Sequence, residues 1–159
     1  MKLRFVLMMI AFASGLAVFG CGASMIPNTD VEDTSANRDI ITFCEGYRNA
    51  VQRRDVGAVL TMVSPRYLDD NGTPSGDDDL DFESLRQRLT RWNEGVLDVR
   101  YEMRYRRITH QQERILVDYT FTGSFRVATT EGDRWSRRLS DNRLVLMREN
   151  GDLRIISGL

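Results

Sequence analysis

Apolar positions take up a helical rhythm at Ile40. Ile40, Phe43, Cys44, Tyr47 and Val51 recur at i, i+3, i+4, i+7 and i+11, which is one face of an α-helix. Ser35 or Asn37 can cap its start, and Arg53 and Arg54 suit the negative end of its dipole. Asp55 can cap a shorter helix carrying Val56, Val59, Leu60 and Val63, which Pro65 ends. A polar stretch from Tyr67 to Asp79, with Gly72, Pro74 and Gly76, reads as a loop. A third helix follows, capped by Asp81, with Phe82, Leu85, Leu89 and Trp92 as its apolar stripe. From Val96 the period changes to two. Val99, Tyr101, Met103 and Tyr105 alternate with Arg100, Glu102, Arg104 and Arg106. Ile115, Val117, Tyr119, Phe121, Phe125 and Val127 alternate with Asp118, Thr120, Thr122, Ser124 and Arg126. These are long strands with one buried and one wet face. Turns are expected at Thr109–Glu113 and Ala128–Asp133. A third strand from Arg134 to Arg148, bent near Ser140 to Asn142, leads through Asn150-Gly151 into a last strand at Leu153–Ser157.

Three helices before a four-stranded antiparallel meander define an α+β fold, with the helices packed on a curved sheet. The order of elements, and the closing stretch from Trp135 to Ile156 with its Asn-Gly turn, resembles the nuclear transport factor 2-like superfamily. These are cystatin-like α+β rolls that include ketosteroid isomerases and polyketide-cyclase-like proteins. The resemblance covers residues 36–159. It implies a cone-shaped sheet wrapping the first helix, with a pocket at its heart.

Ahead of the domain, Lys2 and Arg4 precede an uncharged run from Phe5 to Phe19. About 15 residues is short for a membrane-crossing helix and right for the apolar part of a secretory signal. Val18-Phe19-Gly20-Cys21 resembles a bacterial lipobox, which implies cleavage before Cys21 and acylation of its sulfur. The other reading is a signal cut after Ala13 or Ala17, leaving Cys21 an ordinary cysteine. The boundaries expected are a signal peptide at 1–20, a lipidated Cys21 with a flexible tether at 21–35, and the domain at 36–159. By resemblance to sorting signals, Gly22 after the anchor favours the outer membrane of a Gram-negative cell envelope over the inner one.

Composition sharpens this. The chain has 159 residues, 42% of them hydrophobic, and a formal charge of −1. Without residues 1–20 every basic side chain is an arginine, since Lys2 is the only lysine. The near balance of charge argues against a nucleic-acid partner. Two cysteines and one histidine exclude a four-thiolate zinc site and most histidine-based metal sites. If Cys21 carries lipid, Cys44 is a lone thiol on the apolar face of its helix.

Chemistry is sparser. Asp77, Asp79 and Asp81 lie in an acidic stretch that could offer oxygen ligands to calcium, but the spacing departs from an EF-hand and reads as a solvated loop that caps a helix. His110 falls in a hairpin turn. The family resemblance points to the pocket, where Tyr47 and Asp70 are the nearest positional analogues of an isomerase's tyrosine and acid. No acid alternates onto the apolar face of either long strand. Tyr47, Trp92, Tyr101, Tyr105, Tyr119, Phe121 and Trp135 are expected to line the pocket or pack its core. The arginine-rich wet face of the sheet is expected to hold ion pairs or to meet a second copy or another envelope protein. No cofactor is expected. The resulting expectation is a membrane-anchored envelope lipoprotein acting as a non-catalytic binding or interaction module, possessing a site for a small apolar ligand. The alternatives are a small-molecule isomerase, dehydratase or cyclase-like enzyme, or a structural subunit of an envelope complex.

Overall fold

The structure is a computed structural model that describes residues 24–70, 72–73 and 75–159. The leader and Cys21 lie outside the described residues. Helix α1 runs Ser35–Gln52 and is capped by Thr34, whose side chain accepts from the Asn37 N–H. The cap therefore sits just before the two expected positions. Ile40, Ile41, Cys44, Tyr47 and Ala50 form its buried face. Helix α2 spans Val56–Met62 and is capped by Asp55. Strand β1 (Leu68–Asp69) pairs with β2 (Leu80–Asp81), closing the polar loop at its base. Asp81 then caps α3, Phe82–Gly95.

Four antiparallel strands follow in meander order: β3 (Val96–Gln111), β4 (Arg114–Val127), β5 (Arg134–Glu149) and β6 (Asp152–Ser157). The α+β class and the curved four-stranded sheet are as the periodicity predicts. The first hairpin turn is tighter than expected, while 128–133 joins β4 to β5 and Asn150-Gly151 joins β5 to β6 as expected. Only Gln112 and Glu113 separate β3 from β4, so His110 is a strand residue, exposed and opposite Ile115. Asn150 and Gly151 both have positive φ, 53° and 94°, which is what a two-residue hairpin matching the twist of its strands requires. Strand β5 is unbroken through 140–142. Its ladder with β4 is continuous from Arg134 to Met147, and the irregularity lies on the β6 side at Val145–Leu146.

The core fills the space between α1 and the inner face of the sheet. Cys44, Val117, Leu144, Leu146 and Ile155 are completely enclosed there. Part of the segment expected to be a tether belongs to this body. Met25 bridges Glu32, Val31 is buried, and the Asp30 N–H donates to the Tyr105 carbonyl at 3.0 Å. The Asp30 carboxylate meets both Arg104 and Arg106 at 3.0 Å. One apolar side chain and one doubly paired acid dock the segment, neither of which shows as periodicity.

Candidate functional site

The cone is hollow. A cavity of about 420 Å³ opens between the end of α1, helices α2 and α3, and the inner face of the sheet. That lies within the range of small-molecule sites. Its walls are mainly apolar. Ala50 and Val51 come from α1, Val56 and Val59 from α2, and Leu85, Leu89 and Trp92 from α3. Strands supply Val96, Tyr101, Tyr119, Phe121, Phe125 and Val127. Trp92 meets Phe125 edge-on, with ring centroids 6.3 Å apart. Gly123 clears the space beside it, because a Cβ there would stand 2.6 Å from the Phe125 ring.

Polarity is concentrated on a cluster of hydroxyls. The Tyr47, Tyr101 and Tyr119 phenols share the lining, with Asn142 opposite Tyr119 on the neighbouring strand. Burial pushes all three phenols above the ordinary tyrosine range, with Tyr101 shifted further by its tyrosine neighbours. They are therefore neutral hydrogen-bonding groups at any physiological pH. The lining has one side-chain carboxylate, Asp55, and its Oδ1 accepts from the Ala58 N–H at 2.9 Å.

Of the residues expected here, Tyr47, Trp92, Tyr101, Tyr119 and Phe121 line the cavity. Two do not. Tyr105 is buried, but its hydroxyl donates to Glu45 Oε1 at 2.8 Å, which draws it against α1. Trp135 lies on the outer face of the sheet, half exposed, with the Arg100 guanidinium 5.1 Å from its ring centroid. The reason is parity. Leu144 and Leu146 point inward from β5, so even-numbered positions face the cavity and Trp135 faces out. The same parity brings in Ser136, Arg138 and Asn142, which sequence reasoning missed. Their β4 partners Phe125, Gly123 and Tyr119 carry the matching signal.

Asp70 is exposed and accepts from the Gly72 N–H at 3.0 Å, as a turn residue. It lines a separate polar cleft with Arg107, Asp118 and Arg143 and does not reach the cavity lining with Tyr47. Asp77 accepts from the Ser75 hydroxyl at 3.1 Å, Asp79 ends a single 3₁₀ turn (Gly76–Asp78), and Asp81 accepts from the Ser84 N–H at 2.8 Å. No group of three His, Cys, Asp or Glu side chains among the described residues could hold a metal ion. Cys44 is enclosed, and burial pushes its thiol up to about 12, so it is an unreactive core residue.

No family model and no curated protein matches the chain. Solved structures do. A candidate aromatic ring hydroxylase from Novosphingobium aromaticivorans aligns with 80% of this chain and 89% of its own, at 14% identity and a TM-score of 0.65. A ketosteroid isomerase-like protein from Erwinia carotovora atroseptica aligns with 79% and 95%, at 16% identity and 0.62. A candidate dehydratase of the nuclear transport factor 2-like family from Streptomyces avermitilis aligns with 77% and 92%, at 11% identity and 0.60. The fold of this chain is thus the nuclear transport factor 2-like roll. At these identities the likeness speaks for the fold alone.

Proposed function

We propose that this protein is a lipid-anchored envelope protein whose roll binds a small apolar molecule. The observation that carries the binding reading is the cavity. It combines apolar walls with a cluster of tyrosine hydroxyls, so it offers burial to a hydrophobic body and hydrogen bonds to a polar group. Anchoring rests on the lipobox-like Val18-Phe19-Gly20-Cys21. Stable attachment takes more than one acyl chain, which a lipidated cysteine supplies.

The two halves fit together geometrically. Three residues separate Cys21 from Met25, so the leash reaches at most about 15 Å. It joins the body beside the first turns of α1, where Asn37 donates to the Glu32 carbonyl and Arg38 pairs with Asp33. The cavity lies at the other end of that helix, at Ala50, Val51 and Arg54. Eighteen residues of helix separate the two ends by about 27 Å. On this reading the cavity lies at the end of α1 farther from the anchor.

A second reading is catalysis of the isomerase or dehydratase kind, after the names of the neighbouring structures. Asp55 favours it, because its carboxylate lies in the lining. Asp55 caps α2 through Oδ1 alone, which leaves Oδ2 as the oxygen that would abstract a proton.

The test is titration with an apolar, environment-sensitive dye. Saturable one-to-one binding that Val51→Trp abolishes supports a binding cavity. Binding that Val51→Trp leaves unchanged places the dye elsewhere and defeats the proposal. Turnover of a β,γ-unsaturated ketone that Asp55→Asn abolishes would favour the enzyme. Separately, Cys21→Ser should release the protein from the membrane fraction; its retention there after processing would contradict anchoring.

A further inference from the structure

Three arginines from three different elements share the lining of the cavity: Arg54 after α1, Arg88 on α3 and Arg138 on β5. On the outer face, Arg104 and Arg106 share Asp30, while Arg107 and Arg143 share Asp118. No such pairing to a carboxylate is made by the three cavity arginines among the described residues. The one side-chain anion of the lining is engaged, since Asp55 caps α2.

Arg54 is the most constrained of the three. Its backbone has a φ of 58°. Its Nη1 donates to the Leu97 carbonyl at 3.0 Å and its Nη2 to the Asn93 carbonyl at 2.7 Å. These neutral acceptors hold the guanidinium in place without neutralising it. Its Nε is buried and has no acceptor. A buried N–H without an acceptor is costly, and an anionic oxygen is an acceptor that would relieve it.

We propose that the ligand of this cavity is a small amphipathic anion: one apolar body ending in a carboxylate. The body packs among Val59, Leu85, Leu89 and Trp92, and the head sits toward Arg54, with the exposed Arg88 and Arg138 adding positive charge to the lining. This rests on the binding reading above and narrows it to a ligand class.

The test compares 2-naphthoate with its neutral isostere 2-naphthamide, by calorimetric titration of the exported chain carrying Cys21→Ser. The pair differs in charge and hardly in shape. The expected result is a preference for naphthoate of about tenfold or more, which is one charge-assisted hydrogen bond's worth. The preference should shrink as salt is raised. Arg138→Gln and Arg88→Gln should each reduce the preference, with an unchanged thermal midpoint showing that the variants are folded. Arg54→Gln should reduce it most, and Arg54→Lys, which keeps the charge, should retain part of the preference; equal preference in Arg54→Gln and the unaltered protein would overturn the role of Arg54. Equal affinity for acid and amide in the unaltered protein would overturn the anion inference and leave the cavity reading standing. Binding of neither would overturn both.

Discussion

The Tyr105 hydroxyl donates to Glu45 Oε1 at 2.8 Å, spanning the interface between β3 and α1. Glu45 also accepts from Arg48 at 2.7 Å, so the carboxylate ties two side chains to one point of the helix. The bond is structural, because Tyr105 lies outside the cavity lining. Tyr105→Phe should therefore cost about 1 kcal/mol in urea unfolding and leave dye binding unchanged. Tyr101→Phe removes the same atom from the cavity wall and should weaken binding.

Alkaline pH separates the buried cavity tyrosines from ordinary ones. An unfolded tyrosine ionises near 10. Burial raises the same step for Tyr47, Tyr101 and Tyr119 in the folded chain. Below about 10 neither state releases the proton, so their contribution is fully present. As pH rises beyond that, only the unfolded chain ionises, and stability falls. The urea midpoint should drop above pH 10, less steeply in Tyr101→Phe. Identical slopes would contradict the burial of that hydroxyl.

Gly158 holds the chain's last turn against the cavity wall. Its φ is 102°, and a Cβ would stand 1.9 Å from the Arg143 carbonyl oxygen. Its N–H donates to Asp69 Oδ2 at 2.7 Å, and the following Leu159 N–H donates to the Tyr67 hydroxyl at 3.0 Å. Gly158→Ala should cost about 1–3 kcal/mol and displace Leu159 from the lining. Thermal unfolding measures the first, and faster exchange of the Leu159 amide the second.

Asp30 clasps the amino-terminal segment to the sheet. Arg106 and then Arg104 hold its carboxyl below the usual range. The sign follows: the clasp is complete above about pH 4, where an unfolded aspartate is already ionised, and is lost as pH falls through the lowered folded value. Asp30→Asn should speed amide exchange at Asp30 and Val31 at neutral pH. The core amides of Val117 and Leu144 should keep their protection. Unchanged exchange at Asp30 would show that Val31 alone docks the segment.

The fold was legible because its elements are long and periodic. The stripe Ile40, Cys44, Tyr47 and the alternation Val117, Tyr119, Phe121 each specify an element and its buried face. The cavity was half legible. Tyr47, Tyr101 and Tyr119 fall on apolar faces, so their convergence follows from packing those faces together. Trp135 misled because an aromatic side chain suggests burial, whereas parity with Leu144 turns it outward. Tyr105 has the right parity, but Glu45, sixty residues away, decides where its hydroxyl goes. Arg54 was read as a helix-end charge. Its turn into the lining depends on a positive φ and on carbonyls of Asn93 and Leu97 that only the folded chain brings near.

The central claim is that a ligand enters the cone, and the two tryptophans report on it separately. Trp92 lines the cavity and Trp135 lies on the outer face. The decisive measurement is quenching by a brominated apolar carboxylate in Trp135→Phe and Trp92→Phe proteins. The account predicts saturable, one-to-one quenching of Trp92 and only weak, linear quenching of Trp135. Equal quenching of both, or a linear response from Trp92, would contradict it.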